Sequence, residues 1–386
     1  MTPEPRPSSR RKVLIAGGGV GAVEAALALD ELAAGWVDLT IVAPDEALEL
    51  APDTVAEVVG GSPAPRYDLA AIASDVGAAF VTDALDGVDL VRRQVTTRGE
   101  RQLGFDGLLL ALGAVPGPVL PGALRFAGRR DVESLRAALE RVRELPHPVI
   151  AFVATGGVGW TLPLYELAML VDARFEAEGA SCEIVVVTAE ASPLALFGRR
   201  ASQDVARRLS ERHVRIRTGT TAEAVRDGVL WLAVDGSLPV DVAIALPEPL
   251  GPSLDGLPMD QRGFVPVDRF GRVDSIDGVW AVGDMTARPI KQGGLTAQQA
   301  DAAALSIAAW AGAPVEPRPY EPELRGLMLT GAAPRFLRRS ASSTVPSAAS
   351  DRPLWSPAVK VVGRHLGPYL ASHQEHRLEP ATPGPL

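Results

Sequence analysis

A chain of 386 residues is large for a single hydrophobic core, so two domains with an appendage are expected. Apolar residues make up 47% and charged residues 22%, the balance of a soluble globular protein, and a net charge of −9 gives no footing for nucleic acid. The lone cysteine, Cys182, excludes an internal disulfide, a redox dithiol and any cysteine-built metal site. The histidines are scattered, and His373 with His376 reads as solvated tail, so no metal is expected. No run of about 18 apolar residues exists, so no span is expected and a cytoplasmic location is the simplest reading.

Residues 1–10 form a polar, proline-containing lead that is expected to be disordered. Lys12 to Glu24 follows, reading Lys-Val-Leu-Ile-Ala-Gly-Gly-Gly-Val-Gly-Ala-Val-Glu. It predicts a buried strand over Val13 to Ala16, a glycine turn, and a helix to about Ala34. Glycines at this spacing have separate jobs in a dinucleotide site. Gly17 allows the tight turn, Gly19 lets the backbone approach a pyrophosphate, and the third position, here Ala22, brings helix against strand. Amides over Gly19, Val20 and Gly21 would then hold the negative charge without a basic side chain.

A second apolar strand, Leu39 to Val42, comes next. An acidic residue at its end would meet the cofactor ribose, but that position is Ala43, which leaves Asp45 or Glu46 to reach back from the proline turn. Another strand is expected over Ala78 to Thr82, a meander over Gly87 to Leu103, and a buried strand within Phe105 to Gly113. Pro116, Pro118 and Pro121 then mark a domain crossing, followed by an amphipathic helix over 131–144.

A second unit of the same kind starts at Pro148 to Val153, with a glycine turn over Ala154 to Gly159 and a helix over Leu162 to Gly179. Its strand over Cys182 to Thr188 ends near Glu190, and Cys182 reads as a small buried apolar residue. Matching the fingerprint from Gly157 puts Gly159 second and Leu162 third, with bulky Trp160 and Thr161 between them. Leucine there would hold the helix off the strand, and Trp160 would fill part of the groove. Glu190 would favour a free ribose 2′-hydroxyl if a nucleotide binds, while Arg199 and Arg200 would suit a phosphorylated ribose. A helix over Ser202 to Glu211 and strands around Val214 to Arg217, Val229 to Val234 and Val240 to Leu246 complete this unit.

Asp277-Gly-Val-Trp-Ala-Val-Gly-Asp284 is the second strong signal. A strand ends at Gly283-Asp284, and Gly293 with Gly294 opens an alanine-rich helix from about Leu295 to Trp310. An acidic residue past a strand end suits cofactor hydroxyls, and the helix start would favour negative charge on a flavin's pyrimidine edge. Basic positions are arginine nearly throughout, with lysine only at Lys12, Lys291 and Lys360, so Lys291 is the candidate electrostatic catalyst. Beyond Ala311 a proline-rich passage, a strand over Leu327 to Thr330 and a mobile loop over Ser340 to Ser350 are expected. A last helical face follows over Ala358 to Leu370, packing on the body or resting on a membrane.

These motifs resemble the flavoprotein pyridine nucleotide–disulfide oxidoreductase superfamily over nearly the whole chain, and most of all its type II NADH dehydrogenase and sulfide:quinone oxidoreductase branch. The likeness rests on Gly17 to Ala25, Phe105 to Gly113, Val279 to Asp284 and Thr296-Ala-Gln-Gln-Ala300. It implies an α/β fold of two Rossmann-like domains, the second (116–264) inserted in the first (11–115 and 265–315), with a C-terminal extension over 316–386. It further implies FAD held by the first and last of these segments, with Gly113, Gly283, Asp284, Lys291 and Gly294 at the cofactor. Ala111-Leu-Gly113 departs from the usual Ala-Thr-Gly, and sulfide oxidation through a cysteine pair is not available to Cys182 alone. The expected chemistry is hydride transfer from NAD(P)H to FAD and onward to a quinone-like or other acceptor. The alternatives are a flavoprotein oxidising a small substrate without nicotinamide, and a flavin-binding redox partner without turnover.

Overall fold

The computed structural model describes residues 9–234, 236–340 and 347–379. The expectation for the lead falls largely outside the described residues, at 1–8, as does that for the loop at 341–346, whereas Ala348–Ser350 at the end of the expected loop is a strand paired antiparallel with Phe336–Arg338. The chain begins with β1 (Arg11–Ala16), whose last four residues are buried on both faces, then α1 (Val20–Ala33) and β2 (Val37–Ala43). β3 (Ala79–Thr82) and β4 (Gly107–Leu110) follow, with a small antiparallel sheet of Leu85–Asp89, Gln94–Thr97 and Gln102–Gly104 between them. Then come α2 (Arg129–Arg143), β5 (Val149–Ala154), α3 (Leu162–Ala177), β6 (Glu183–Thr188), α4 (Arg199–Glu211), β7 (Arg215–Arg217) and β8 (Val242–Leu246). The chain returns through β9 (Val279–Ala281) and α5 (Gly293–Ala311).

The first sheet has the order β9-β4-β1-β2-β3, and all of its pairings are parallel. The second runs Leu124–Arg125, β8, β5, β6, β7, also parallel throughout. Parallel strands need crossover helices, which cover both faces and explain the continuous Val/Ile/Leu/Ala runs. The second sheet is built wholly from residues between β4 and β9, so one Rossmann-like unit is inserted in another. In the first, α1 packs along α5 through Ala22, Ala25, Ala26, Ala300, Ala303 and Ala304, all buried. Small side chains on both helices allow that close approach.

The C-terminal extension contributes β10 (Glu323–Met328), paired antiparallel with β11 (Arg335–Ser340), and a short helix α6 (Leu366–Ser372). The helical face expected over Ala358 to Leu370 is thus confined to its last part. The reason lies in α1. Buried Glu24 accepts the backbone N–H of His365 (2.9 Å) and of Leu366 (2.7 Å), a cap supplied from more than three hundred residues away. The chain passes so close that a Cβ on Gly363 would sit 2.1 Å from the Glu24 carboxylate. Val361, Leu366 and Leu370 are buried against Val23 and Leu48, which packs this segment on the body. No helix among the described residues is long and apolar enough to cross a membrane.

Asp301 on α5 faces Glu24, and burial together with that neighbouring carboxylate raises its pKa well above the ordinary range. Glu31, His365 and Arg364 also face the group. A carboxyl raised on folding takes up a proton, so its contribution is greatest at low pH and falls as pH rises toward the folded value. Asp301→Asn stays uncharged, and its gain in unfolding free energy over the parent should widen between pH 5 and pH 9, reaching at least about 1 kcal/mol. A pH-independent difference in thermal melting contradicts this account of the pair.

Candidate cofactor and substrate site

The turn after β1 is shaped by two close approaches. Gly17 has φ +128°, and a Cβ there would lie 2.3 Å from the Ala111 carbonyl oxygen, so only glycine fits. A Cβ on Gly21 would lie 2.9 Å from Thr296 Cγ2 and 3.1 Å from Val282 Cγ2, which seats the head of α1 against β9 and α5. Gly19 differs, because a Cβ there would meet no described atom within 4 Å. It is also the N-cap of α1, and no side chain accepts the amides of the first turn. Bare amides at a helix start that faces open space suit a diphosphate.

β9 delivers Asp284 to the opposite wall. The Gly283 N–H donates to Gln299 Oε1 (2.9 Å), which fixes the strand end against α5. Burial pushes the Asp284 carboxyl up to about 6, opposed by Lys291, by the Gln292 N–H and by the Thr296 hydroxyl. Lys291 is pulled down to about 8 by burial, with Asp284 acting against the fall. Its Nζ donates to the Thr286 carbonyl (2.5 Å) and stands 3.6 Å from the centre of the Phe264 ring. Gln292 caps α5 by accepting the Leu295 N–H at 2.7 Å.

Both walls line one cavity of about 400 Å³, with mostly apolar surroundings that include Val115, Pro116, Phe126, Trp160, Leu162 and Leu327. At its far side lies a buried ion pair that the sequence reading did not find. Lys360 Nζ is 2.7 Å from Glu166 Oε1 and donates to the Pro52 carbonyl at 2.9 Å, while Glu166 also accepts the Leu329 N–H at 2.8 Å. Their side chains are 7% and 1% exposed, and burial raises the Glu166 carboxyl against the pull of Lys360. Lysine scarcity was the available signal, since two of the three lysines, Lys291 and Lys360, line this cavity.

Among the residues singled out by sequence, Gly19, Val20, Gly21, Gly113, Gly283, Asp284 and Lys291 line the cavity together. Gly17 and Ala22 stand behind that surface, and Gly294 lies one residue into α5 beyond lining Gly293. Asp45 is exposed and is not among the lining residues. The carboxylate at that end is instead Glu49, held by Arg129 Nε at 2.6 Å. In the inserted unit Gly159 lines the cavity and Gly157 does not. Glu190 is engaged within the protein, accepting the Thr161 hydroxyl (2.8 Å) and the Tyr165 hydroxyl (2.6 Å) through one oxygen. Cys182 is half-buried, and burial pushes its thiol up to about 12, so it stays protonated and unreactive at neutral pH.

The family model for pyridine nucleotide-disulphide oxidoreductases matches residues 11–304. Among curated proteins none matches this sequence. The fold is similar to that of the sulfide:quinone oxidoreductase of the hyperthermophilic bacterium Aquifex aeolicus, at 18% identity and a TM-score of 0.77, over 88% of this chain and 87% of that one. The ferredoxin reductase of the CYP199A2 system from Rhodopseudomonas palustris is similar at 16% identity and a TM-score of 0.65, over 85% and 82%. NDH2 from Plasmodium falciparum, solved with NADH, is similar at 15% identity and a TM-score of 0.60, over 72% and 65%.

Open space at Gly19 separates folding from cofactor retention. Gly19→Ala should leave the Tm of flavin-free protein unchanged while weakening FAD retention at least about tenfold, ~1.4 kcal/mol. Equilibrium dialysis with FAD checks this, and unaltered affinity contradicts the assignment of the turn.

Proposed function

The chain belongs to the pyridine nucleotide-disulphide oxidoreductase family and is an FAD-dependent oxidoreductase, and from that premise we propose that it passes electrons from NAD(P)H to a small, apolar, quinone-like acceptor. The observation that carries the reading is the cavity that joins the bare Gly19 turn, the Asp284–Lys291 wall and the buried Lys360–Glu166 pair in one apolar enclosure.

FAD fits these residues by its diphosphate at Gly19 to Gly21 and its ribityl hydroxyls at Asp284, and when bound it supplies two-electron chemistry between donor and acceptor. The protein's own part is position, field and protons. The amides at the head of α1 compensate diphosphate charge, and Asp284 accepts hydroxyl hydrogen bonds once ionised. Lys291 and the N-terminus of α5 would place positive potential where negative charge develops on the ring, within mostly apolar walls.

The acceptor half rests on Lys360 and Glu166. A quinone-like molecule has an apolar body and carbonyl oxygens that need two protons along with two electrons. Val115, Pro116, Phe126 and Leu327 supply apolar walls, and the Lys360 ammonium can donate a hydrogen bond to a carbonyl oxygen. Glu166 holds that ammonium in place, and its raised carboxyl suits it to relay a proton.

Two measurements test the reading. Dithionite-reduced holoenzyme mixed anaerobically with a short-chain ubiquinone analogue should be reoxidised at least about tenfold more slowly in Lys360→Met and in Glu166→Gln, the scale of one lost general acid. Equal rates in parent and variants overturn the acceptor assignment. Lys291→Met should lower the two-electron midpoint potential of bound FAD by about 30 mV, equivalent to ~1.4 kcal/mol. Because Lys291 titrates near 8, its charge is present below that pH and lost above it. The gap between parent and variant should therefore close above about pH 9. A gap that persists undiminished contradicts the electrostatic role.

A further inference from the structure

The two glycine turns of this chain can be compared atom for atom. At the second glycine of the first turn, Gly19, a Cβ would meet open space. At the second glycine of the inserted unit's turn, Gly159, it would lie 2.4 Å from the Pro289 carbonyl oxygen, so backbone from the other unit already occupies that approach. At Gly157 it would lie 1.9 Å from Glu248 Oε1 and 2.1 Å from Cδ, so a carboxylate rests directly on the turn. At Gly156 the nearest groups are the Ala189 and Thr221 methyls, 4.0 Å from such a Cβ. The way onto this turn thus runs over Gly156 and Gly157, and Glu248 lies across it.

We propose that Glu248 is a self-bound gate on the inserted unit: its carboxylate covers the turn at Gly157, across the route an incoming diphosphate would take, and must swing away before a dinucleotide binds. This deepens the proposed use of NAD(P)H and rests on it. Two physical terms oppose binding while the gate is shut, namely overlap with the diphosphate and repulsion between two anions in a partly desolvated cleft. The displacement itself is undemanding. The Glu248 side chain is 40% exposed, and its partner Arg262 Nη2, 2.7 Å away, is 43% exposed, so the pair is worth little in water. Arg262 is held independently by the Pro249 carbonyl at 2.9 Å and lies 5.4 Å from the Phe264 ring centre. It therefore stays beside the turn when Glu248 leaves, and its guanidinium is then available to a phosphate. Glu248 is on this account a specificity-determining residue that sets affinity for dinucleotides and favours small donors without phosphate.

The test is anaerobic stopped-flow reduction of holoenzyme by NADH and NADPH, in the parent, Glu248→Ala and Glu248→Gln. Glu248→Ala should lower the half-saturating dinucleotide concentration at least about tenfold while the limiting rate changes less than about twofold. Glu248→Gln, which keeps the bulk and removes the charge, should fall between them. Should the alanine variant fail to fold, the glutamine variant carries the comparison. Unchanged half-saturation in the variants overturns the gate, as does a limiting rate that moves while half-saturation does not. Absence of reduction by millimolar dinucleotide in every protein also overturns it. Reoxidation of dithionite-reduced enzyme by the quinone analogue, run on the same preparations, reports separately whether the acceptor half stands.

Discussion

Close approach of backbone to backbone at the head of α1 is the constraint on which the rest of the molecule depends. Gly17 passes under the Ala111 carbonyl, and Gly21 lies against the Thr296 and Val282 side chains, so a Cβ at either glycine would push the head of α1 away from what it packs on. One consequence is mechanical, because the alanine seam of α1 and α5 binds residues nearly three hundred apart into one layer. The other is electrical. Helix-start amides that would ordinarily face a capping side chain are left facing the cavity, where positive potential awaits an anion.

Charge placement follows the same logic. The cavity walls are mainly apolar, and within them stand a few ionisable groups whose pKa values have moved toward neutrality: Asp284 upward, Lys291 downward, Glu166 upward. Each shift arises chiefly from burial and is restrained by an opposite charge. Such groups are costly to hold in a merely structural wall, and they cluster where charge is to be handled. The C-terminal segment is part of this arrangement. Glu24 caps its helix, and the irregular stretch just before reaches Lys360 inward to Glu166. A tail that looks peripheral in sequence therefore completes the enclosure.

What was legible in the sequence follows the range of the interactions involved. Strand, glycine turn and helix at Val13 to Ala33, and the strand with its acidic end before α5, are set by local patterns of apolar periodicity and glycine, and the parallel sheets correspond to them. The inserted second unit was visible because it repeats the first. The Lys360–Glu166 pair was not, since it joins positions 194 residues apart and neither lies in a motif. Glu248 was equally hidden, for its neighbour on the page is Pro247 and its neighbour in space is Gly157. The expected helix from Ala358 was too long because its apolar spacing is regular, whereas Glu24 caps the backbone only from His365 onward. The acid expected near Asp45 illustrates the same limit: Glu49 lines the cavity at the end of the short strand Ala47–Glu49, whose pairing with Arg66–Asp68 spacing alone does not reveal.

The central claim is that the bare amides over Gly19 to Gly21, facing Asp284, hold the diphosphate and ribityl chain of FAD. The visible absorption spectrum of the purified protein, recorded before and after incubation with excess FAD and gel filtration, tests it most directly. The account predicts flavin absorption that persists through filtration at about one FAD per chain. A protein that remains colourless after that incubation contradicts it.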